Sequence, residues 1–272
     1  MVCVGAGRVS AGALVRAVVV TAPDSTPRKD RVRRAFSAAA ASYDEGAGAQ
    51  QEVASRVAAL VLEAPPAAGA RILEIGCGTG LLTKRLVSAL PDRRFWVTDL
   101  SPAMLERCRE QVGEAEGRIF RVMDGEWPDL EEGGFDLVVS SFAFQWFDDL
   151  GAGLARLSAC LRPGGRMVFS IPGAETFHEW RRFLRSEGIP SGIGRFPSRH
   201  ELARMATVVA EEQLEARFDG GLAFVRHLEA IGARVAEEGY RPMPSGALRR
   251  LLRSFDGRVS YHVLIGELVA GR

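Results

Sequence analysis

No uninterrupted apolar run in the 272-residue chain approaches the roughly 18 to 20 residues that cross a bilayer, so the sequence offers no candidate transmembrane helix and no membrane partner is expected. Cysteine and histidine are scarce, at four each. Cys3, Cys77, Cys108 and Cys160 lack the paired spacing of metal ligands, which speaks against a structural zinc site, and no metal is expected in the working site. Nor do they suggest a disulfide framework, and a reducing, cytoplasmic setting is the simplest expectation. An excess of positive charge is missing too: 35 Lys+Arg face 34 Asp+Glu, so nothing in the bulk charge marks a nucleic-acid binder, although local basic patches stay open. There is no N-P-P-Y-type motif and no appended nucleic-acid-binding module.

What the chain does have is enough apolar residue, 47%, to build one large α/β core without a disulfide or metal. Residues 1–27 read as a tail that ends at Pro23 and Pro27; a targeting segment is the other reading, although Arg8 and Arg16 break its apolar stretch. Residues 28–63 read as two helices separated near 45–48, and residues 28–272 as one domain.

From residue 71 onward, short apolar runs alternate with amphipathic segments. RILEI (71–75), RFWVT (94–98), RIFRV (118–122), FDLVVS (135–140) and GRMVFSI (165–171) are strand candidates, with helices near 80–90, 102–112 and 149–161. LRPGG (161–165) reads as a helix stop and a turn into the fifth strand. EEQLEARFD (211–219) and SYHVLIGELV (260–269) add two more strands, with helices over 221–234 and 244–254. The alternation predicts a Rossmann-like α/β fold: a seven-stranded, mostly parallel sheet with helices on both faces, N-terminal helices, and a small lid insertion at about 173–205.

The most informative stretch is LEIGCGTG (73–80), where a buried strand becomes a helix. Gly76, Gly78 and Gly80 let the backbone turn sharply and approach a ligand, and the following helix offers free N–H groups. Asp99 ends the next strand, where such folds aim a carboxylate at ribose hydroxyls. Asp124 and Gly125 follow the third strand: the Asp124 carboxylate can accept a hydrogen bond from an exocyclic amine such as that of adenine, and Gly125 offers a nearby backbone amide. The nicotinamide fingerprint reads G-x-G-x-x-G, so the third glycine here comes one residue early. Glu74, just before the glycines, would repel a phosphate but suits a cationic amino group. The set resembles the class I methyltransferase pattern, which implies S-adenosylmethionine as cofactor. Leu100 and Met104, in TDLSPAML (98–105), are placed with the same ligand.

Beyond the cofactor pattern, the chain resembles the malonyl-acyl-carrier-protein O-methyltransferase family from about residue 32 to 269. The resemblance rests on RRAFSAAAASYD (33–44), LEIGCGTG, TDLSPAML, SSFAFQWFDDL (140–150), LRPGG, the GRF of 194–196, VRHLEAIGA (225–233) and SYHVL (260–264). It implies methyl transfer to the free carboxylate of a malonyl thioester, on an acyl carrier protein or on coenzyme A, early in biotin synthesis. A carboxylate with a pKa near 4 is already a nucleophile at neutral pH, so no general base is needed. Alignment and exclusion of water must do the work, and orientation can supply up to about 7–11 kcal/mol.

Gln145 and Trp146, after the fourth strand, are expected to face the transferred methyl group, and Tyr43 to close over the cofactor; packing is the other reading of all three. Arg195, in GRF, is the expected substrate carboxylate clamp because a guanidinium grips a carboxylate through two hydrogen bonds. RKDRVRR (28–34) and RRFLR (181–185) are docking candidates for an acidic carrier protein, or ordinary solvated faces. Two other functions stay open: methylation of another small carboxylate such as trans-aconitate, and a cofactor-binding assembly factor for a respiratory complex.

Overall fold

The computed structural model describes residues 26–233, 235 and 251–271. Helix α1 (Pro27–Ala39) begins with Pro27 in its first turn and Thr26 as its cap, the Thr26 side chain accepting from the Lys29 amide. The single break expected near 45–48 is replaced by two. Helix α2 (Tyr43–Gly46) is one turn, and α3 (Gly48–Glu63) follows Ala47. Tertiary bonds explain this short turn: the Asp44 carboxylate accepts from Thr79 Oγ1 at 2.5 Å and from Gln111 Nε2 at 2.6 Å.

Strands β1 (Arg71–Ile75), β2 (Arg94–Asp99), β3 (Arg118–Val122), β4 (Phe135–Ser141), β5 (Leu161–Pro172), β6 (Thr207–Arg217) and β7 (Arg258–Val269) form one sheet in the order β3-β2-β1-β4-β5-β7-β6. The pairings among β1 to β5 are parallel, and β7 runs antiparallel to both β5 and β6. Helices α4 (Leu81–Ala89), α5 (Pro102–Val112) and α6 (Leu150–Ala159) make the crossovers. The strand order reverses between β1 and β4, so the loops after β1, β2, β3 and β4 converge at one crevice.

The sheet is covered on both faces, which is why the central strands read as unbroken apolar runs. Ile72 and Val139 pack with Val53, Val57 and Leu86, while their neighbours Leu73 and Val138 pack with Leu154, Leu157 and Phe169 on the other side. Full burial of each such side chain stabilises by roughly 1.5–3 kcal/mol. Edge strand β6 alternates exposed and half-buried positions, and Glu211 and Glu215 on it discourage pairing with another sheet.

LRPGG departs from the expected simple turn. Leu161 pairs with Phe135 while Arg166 pairs with Leu137, so residues 162–165 bulge out of the ladder inside β5. Between β5 and β6 lie α7 (His178–Ser186) and α8 (Arg199–Leu202), joined by an extended stretch. Trp180 anchors α7 in an aromatic cluster with Phe224 and Phe255. Helix α9 (Gly220–Ala230) follows β6. The helix expected over 244–254 lies mostly outside the described residues. Among the described residues, no helix is long and apolar enough to cross a membrane.

Candidate active site

A cavity opens where β1 turns into α4. Gly76, at φ +68°, sits so close to the loop after β4 that an added Cβ would stand 2.3 Å from Ala143 Cβ. Only glycine lets the two loops meet and leaves backbone facing the cavity. Gly76 and Gly78 line it, but Gly80 does not. At φ +98°, Gly80 instead lets α5 approach, since its Cβ would lie 3.0 Å from Cys108 Sγ.

Asp99 lies at the end of β2. Its carboxylate accepts the amides of Gly78 at 2.9 Å and Ser101 at 2.8 Å, which fixes its orientation toward the cavity. Burial nevertheless pushes its pKa up to about 6, despite those bonds. Glu74 is 1% exposed, and one of its carboxylate oxygens has no hydrogen-bond partner among the described residues. Burial, with a smaller push from Asp99, raises its pKa to about 7, and Thr83 pulls it partly back. A buried acid with an unmet oxygen is the complement of a cationic amino group. Leu100 and Gly125 line the same cavity, whereas Met104 is fully buried in a cluster with Ala39 and Ala40 and does not reach it.

Asp124 also faces the cavity, but it is already engaged. Lys29 Nζ stands 2.8 Å from Asp124 Oδ1 and 2.8 Å from Glu126 Oε2, with its side chain 4% exposed. Glu126 accepts the amides of Asp148 and Asp149 at 2.8 and 2.7 Å, binding the loop after β4 into the same knot. Arg28 adds bonds to the Trp146 carbonyl and the Asp148 carboxylate, at 2.8 and 2.9 Å. Helix α1 therefore roofs the cavity.

A second cavity of about 600 Å³ adjoins the first. Phe36, Tyr43, Gln50, Phe142, Trp146 and Phe147 line both, forming a mostly aromatic wall between them. Phe142 holds φ +51°, an uncommon conformation for a bulky residue; its amide donates to Ser170 and its carbonyl accepts Gln145 Nε2 at 2.6 Å. Gln145 lines the second cavity, and Gln145 Oε1 and Trp146 Nε1 are buried without partners among the described residues. Trp146 packs edge-on against Phe36, with ring centroids 5.4 Å apart.

Arg195 lines the second cavity from its rim. Its side chain is 78% exposed and paired with Glu201, so it does not reach the aromatic wall in this conformation. Glu201 also accepts from Ser198, and these bonds hold its pKa down at about 2. Arg181, another arginine of the insertion, donates to the carbonyls of Ala174 and Gly194.

Lys29, Asp44, Gln50 and Phe142 were not singled out from sequence. Lys29 sits in a basic run that reads as solvated, and only docking of α1 buries it. Gln50 carried a weak signal, a polar residue on the apolar face of α3.

Residues 73–167 match the sequence model of a family described as a methyltransferase domain. The chain is 38% identical over 250 residues to the malonyl-[acyl-carrier protein] O-methyltransferase of Magnetococcus marinus, covering 88% of this chain and 92% of that protein. It is also 38% identical over 245 residues, 87% of its length, to the biotin biosynthesis bifunctional protein BioCD of Bordetella avium, of which it spans 51%. Among solved structures, the Haemonchus contortus phosphoethanolamine N-methyltransferase 2 bound to S-adenosyl-L-methionine aligns over 91% of this chain and 60% of that one. Its TM-score of 0.56 at 16% identity speaks for the fold alone.

Proposed function

This chain belongs to the malonyl-[acyl-carrier protein] O-methyltransferase family, and from that premise we propose that it moves a methyl group from S-adenosylmethionine to the free carboxylate of a malonyl thioester. The observation that supports this most is the shared wall of Phe36, Tyr43, Phe142 and Trp146. It puts the cavity that holds Glu74 and Asp99 and a larger second cavity back to back.

The residues fit the cofactor. Glu74, with its unmet oxygen, takes the amino group; Asp99 takes the ribose hydroxyls; Asp124 and Gly125 take the adenine side. The bound cofactor supplies an electrophilic methyl group on a sulfonium sulfur. The malonyl carboxylate forms the new oxygen–carbon bond as the carbon–sulfur bond breaks and its electron pair returns to sulfur, so no proton has to move. Tyr43, Phe142 and Trp146 exclude water from that line, and Gln145 braces the loop that carries Phe142 and Trp146.

Residues 173–205 act as the lid over the second cavity, with Arg195 steering the anionic substrate at its mouth. The carrier protein is the partner in this reading. Its acidic surface suits Arg31 and Arg34 on α1 and Arg182 and Arg185 on α7, all exposed. Among the described residues, Cys77, Cys108 and Cys160 are buried and free, which suits a cytoplasmic setting.

The test is to incubate the protein with S-adenosylmethionine and malonyl thioesters, on carrier protein and on coenzyme A in separate arms. A mass gain of one methylene on either supports the reading. Gain on aconitate alone, or cofactor binding without transfer to any acid, overturns it.

A further inference from the structure

The motifs at 225–233 and 260–264 play no part in the reaction as described, yet they meet in the fold. His227 on α9 places Nε2 2.7 Å from the hydroxyl of Tyr261 on β7. Tyr261 is 4% exposed and lines the second cavity. Its ring is wedged edge-on against Phe177, with centroids 4.7 Å apart, and the His227 ring lies against Phe218 at 4.6 Å. Packing alone would be served by phenylalanine. A buried hydroxyl costs free energy unless its bonds are met, so a phenol held by an imidazole at a cavity wall calls for a reason.

Burial lowers the His227 pKa, which keeps the ring neutral at neutral pH, with one nitrogen a donor and the other an acceptor. Burial also raises the Tyr261 pKa, keeping the phenol protonated, and Gln50 lines the same cavity. In the tautomer in which His227 Nε2 carries the proton, the phenol oxygen accepts from His227 and its own proton is left to donate into the cavity. Trp146 lines the same cavity, and its Nε1–H is buried without a partner among the described residues.

The described cations of the cavity are engaged elsewhere: Arg28 with Asp148 and backbone carbonyls, Arg195 with Glu201 at the rim. Two neutral donors suit a carboxylate that must remain a nucleophile, because a cation gripping both oxygens would stabilise the ground state and withdraw charge from the attacking atom. Building on the proposed reaction, we infer that Tyr261, oriented by His227, donates to the non-attacking oxygen of the malonyl carboxylate, with Trp146 Nε1–H as the second donor. His227 is the positioning residue and Tyr261 the substrate contact.

The test compares wild type with Tyr261→Phe, His227→Leu and His227→Gln for malonyl thioester KM and kcat, S-adenosylmethionine affinity and melting temperature. Loss of a hydrogen bond to a charged group should raise KM about 10- to 100-fold in Tyr261→Phe. Cofactor affinity and melting temperature should hold. His227→Leu should follow the same direction, and His227→Gln, which keeps a side-chain N–H, should recover most of the loss. An unchanged KM and kcat in Tyr261→Phe, or parallel loss of cofactor binding and folding, overturns the assignment. Failure of the wild type itself to methylate any malonyl thioester sinks the parent reading and this one with it, and is read in the same plate.

Discussion

Lys29 and Asp124 form an ion pair of 2.8 Å between the first turn of α1 and the loop after β3, and the same ammonium lies 2.8 Å from Glu126. The pair joins two sides of the first cavity, which both residues line. Taking these charges out of water costs several kcal/mol per ion, which the two ion contacts and the backbone amides at Glu126 must offset. Removing the cation leaves two acids facing each other without it.

Lys29→Ala should therefore destabilise the protein by about 3 kcal/mol, the low end for a broken buried pair because Glu126 keeps its two backbone amides. S-adenosylmethionine binding should weaken as well, since α1 loses its main anchor. Denaturant unfolding and calorimetry measure both, and an unchanged midpoint would show that the ion pair holds nothing.

Glu74 sets a pH dependence whose sign follows from its raised pKa. Between its ordinary 4.5 and about 7, the folded carboxyl keeps a proton that the unfolded chain has released, so the ligand-free protein loses stability as pH rises through that window. A cationic amino group favours the ionised form. Cofactor affinity should accordingly rise from pH 6 to pH 8, with Asp99, at about 6, contributing at the lower end. Glu74→Gln should melt higher than wild type at pH 8 without ligand, yet bind the cofactor more weakly and with a flatter pH profile. A variant that melts lower and binds equally well would contradict the assignment.

The glycines should separate by role. Gly80→Ala meets Cys108 and an unfavourable φ, costing about 1–3 kcal/mol of stability, while the folded fraction keeps its cofactor affinity. Gly76→Ala, whose Cβ would collide with Ala143, should lose cofactor binding outright. Equal effects of the two on affinity would undo the distinction.

Arg195→Ala should leave the melting temperature nearly unchanged, because an exposed pair with Glu201 is worth little. It should lower kcat/KM for the malonyl thioester, more so at low salt, with cofactor affinity intact. Equal loss of both would remove Arg195 from the substrate path.

The sheet was legible because RILEI and FDLVVS are apolar on both faces, and the cofactor loop because glycines at a strand end have few other uses. Asp99 and Glu74 followed from their place beside those glycines. Burial of Lys29 was not legible, since a charged helix reads as solvated until its partners, 95 and 97 positions away in the chain, are known. Met104 misled for the converse reason: it shares a motif with cavity-lining Leu100, but α5 turns it beneath α1. The meeting of His227 with Tyr261 depended on how α9 packs against β7, which no local pattern records.

The most direct measurement uses S-adenosylmethionine labelled in its methyl group, with malonyl-carrier protein as acceptor, and follows the label through mild alkali. The account predicts that label appears on the thioester's acyl group as a base-labile methyl ester, in wild type and far less in Tyr261→Phe. Label that stays on the cofactor although the protein binds it, or that reaches an acid other than a malonyl thioester, would contradict it.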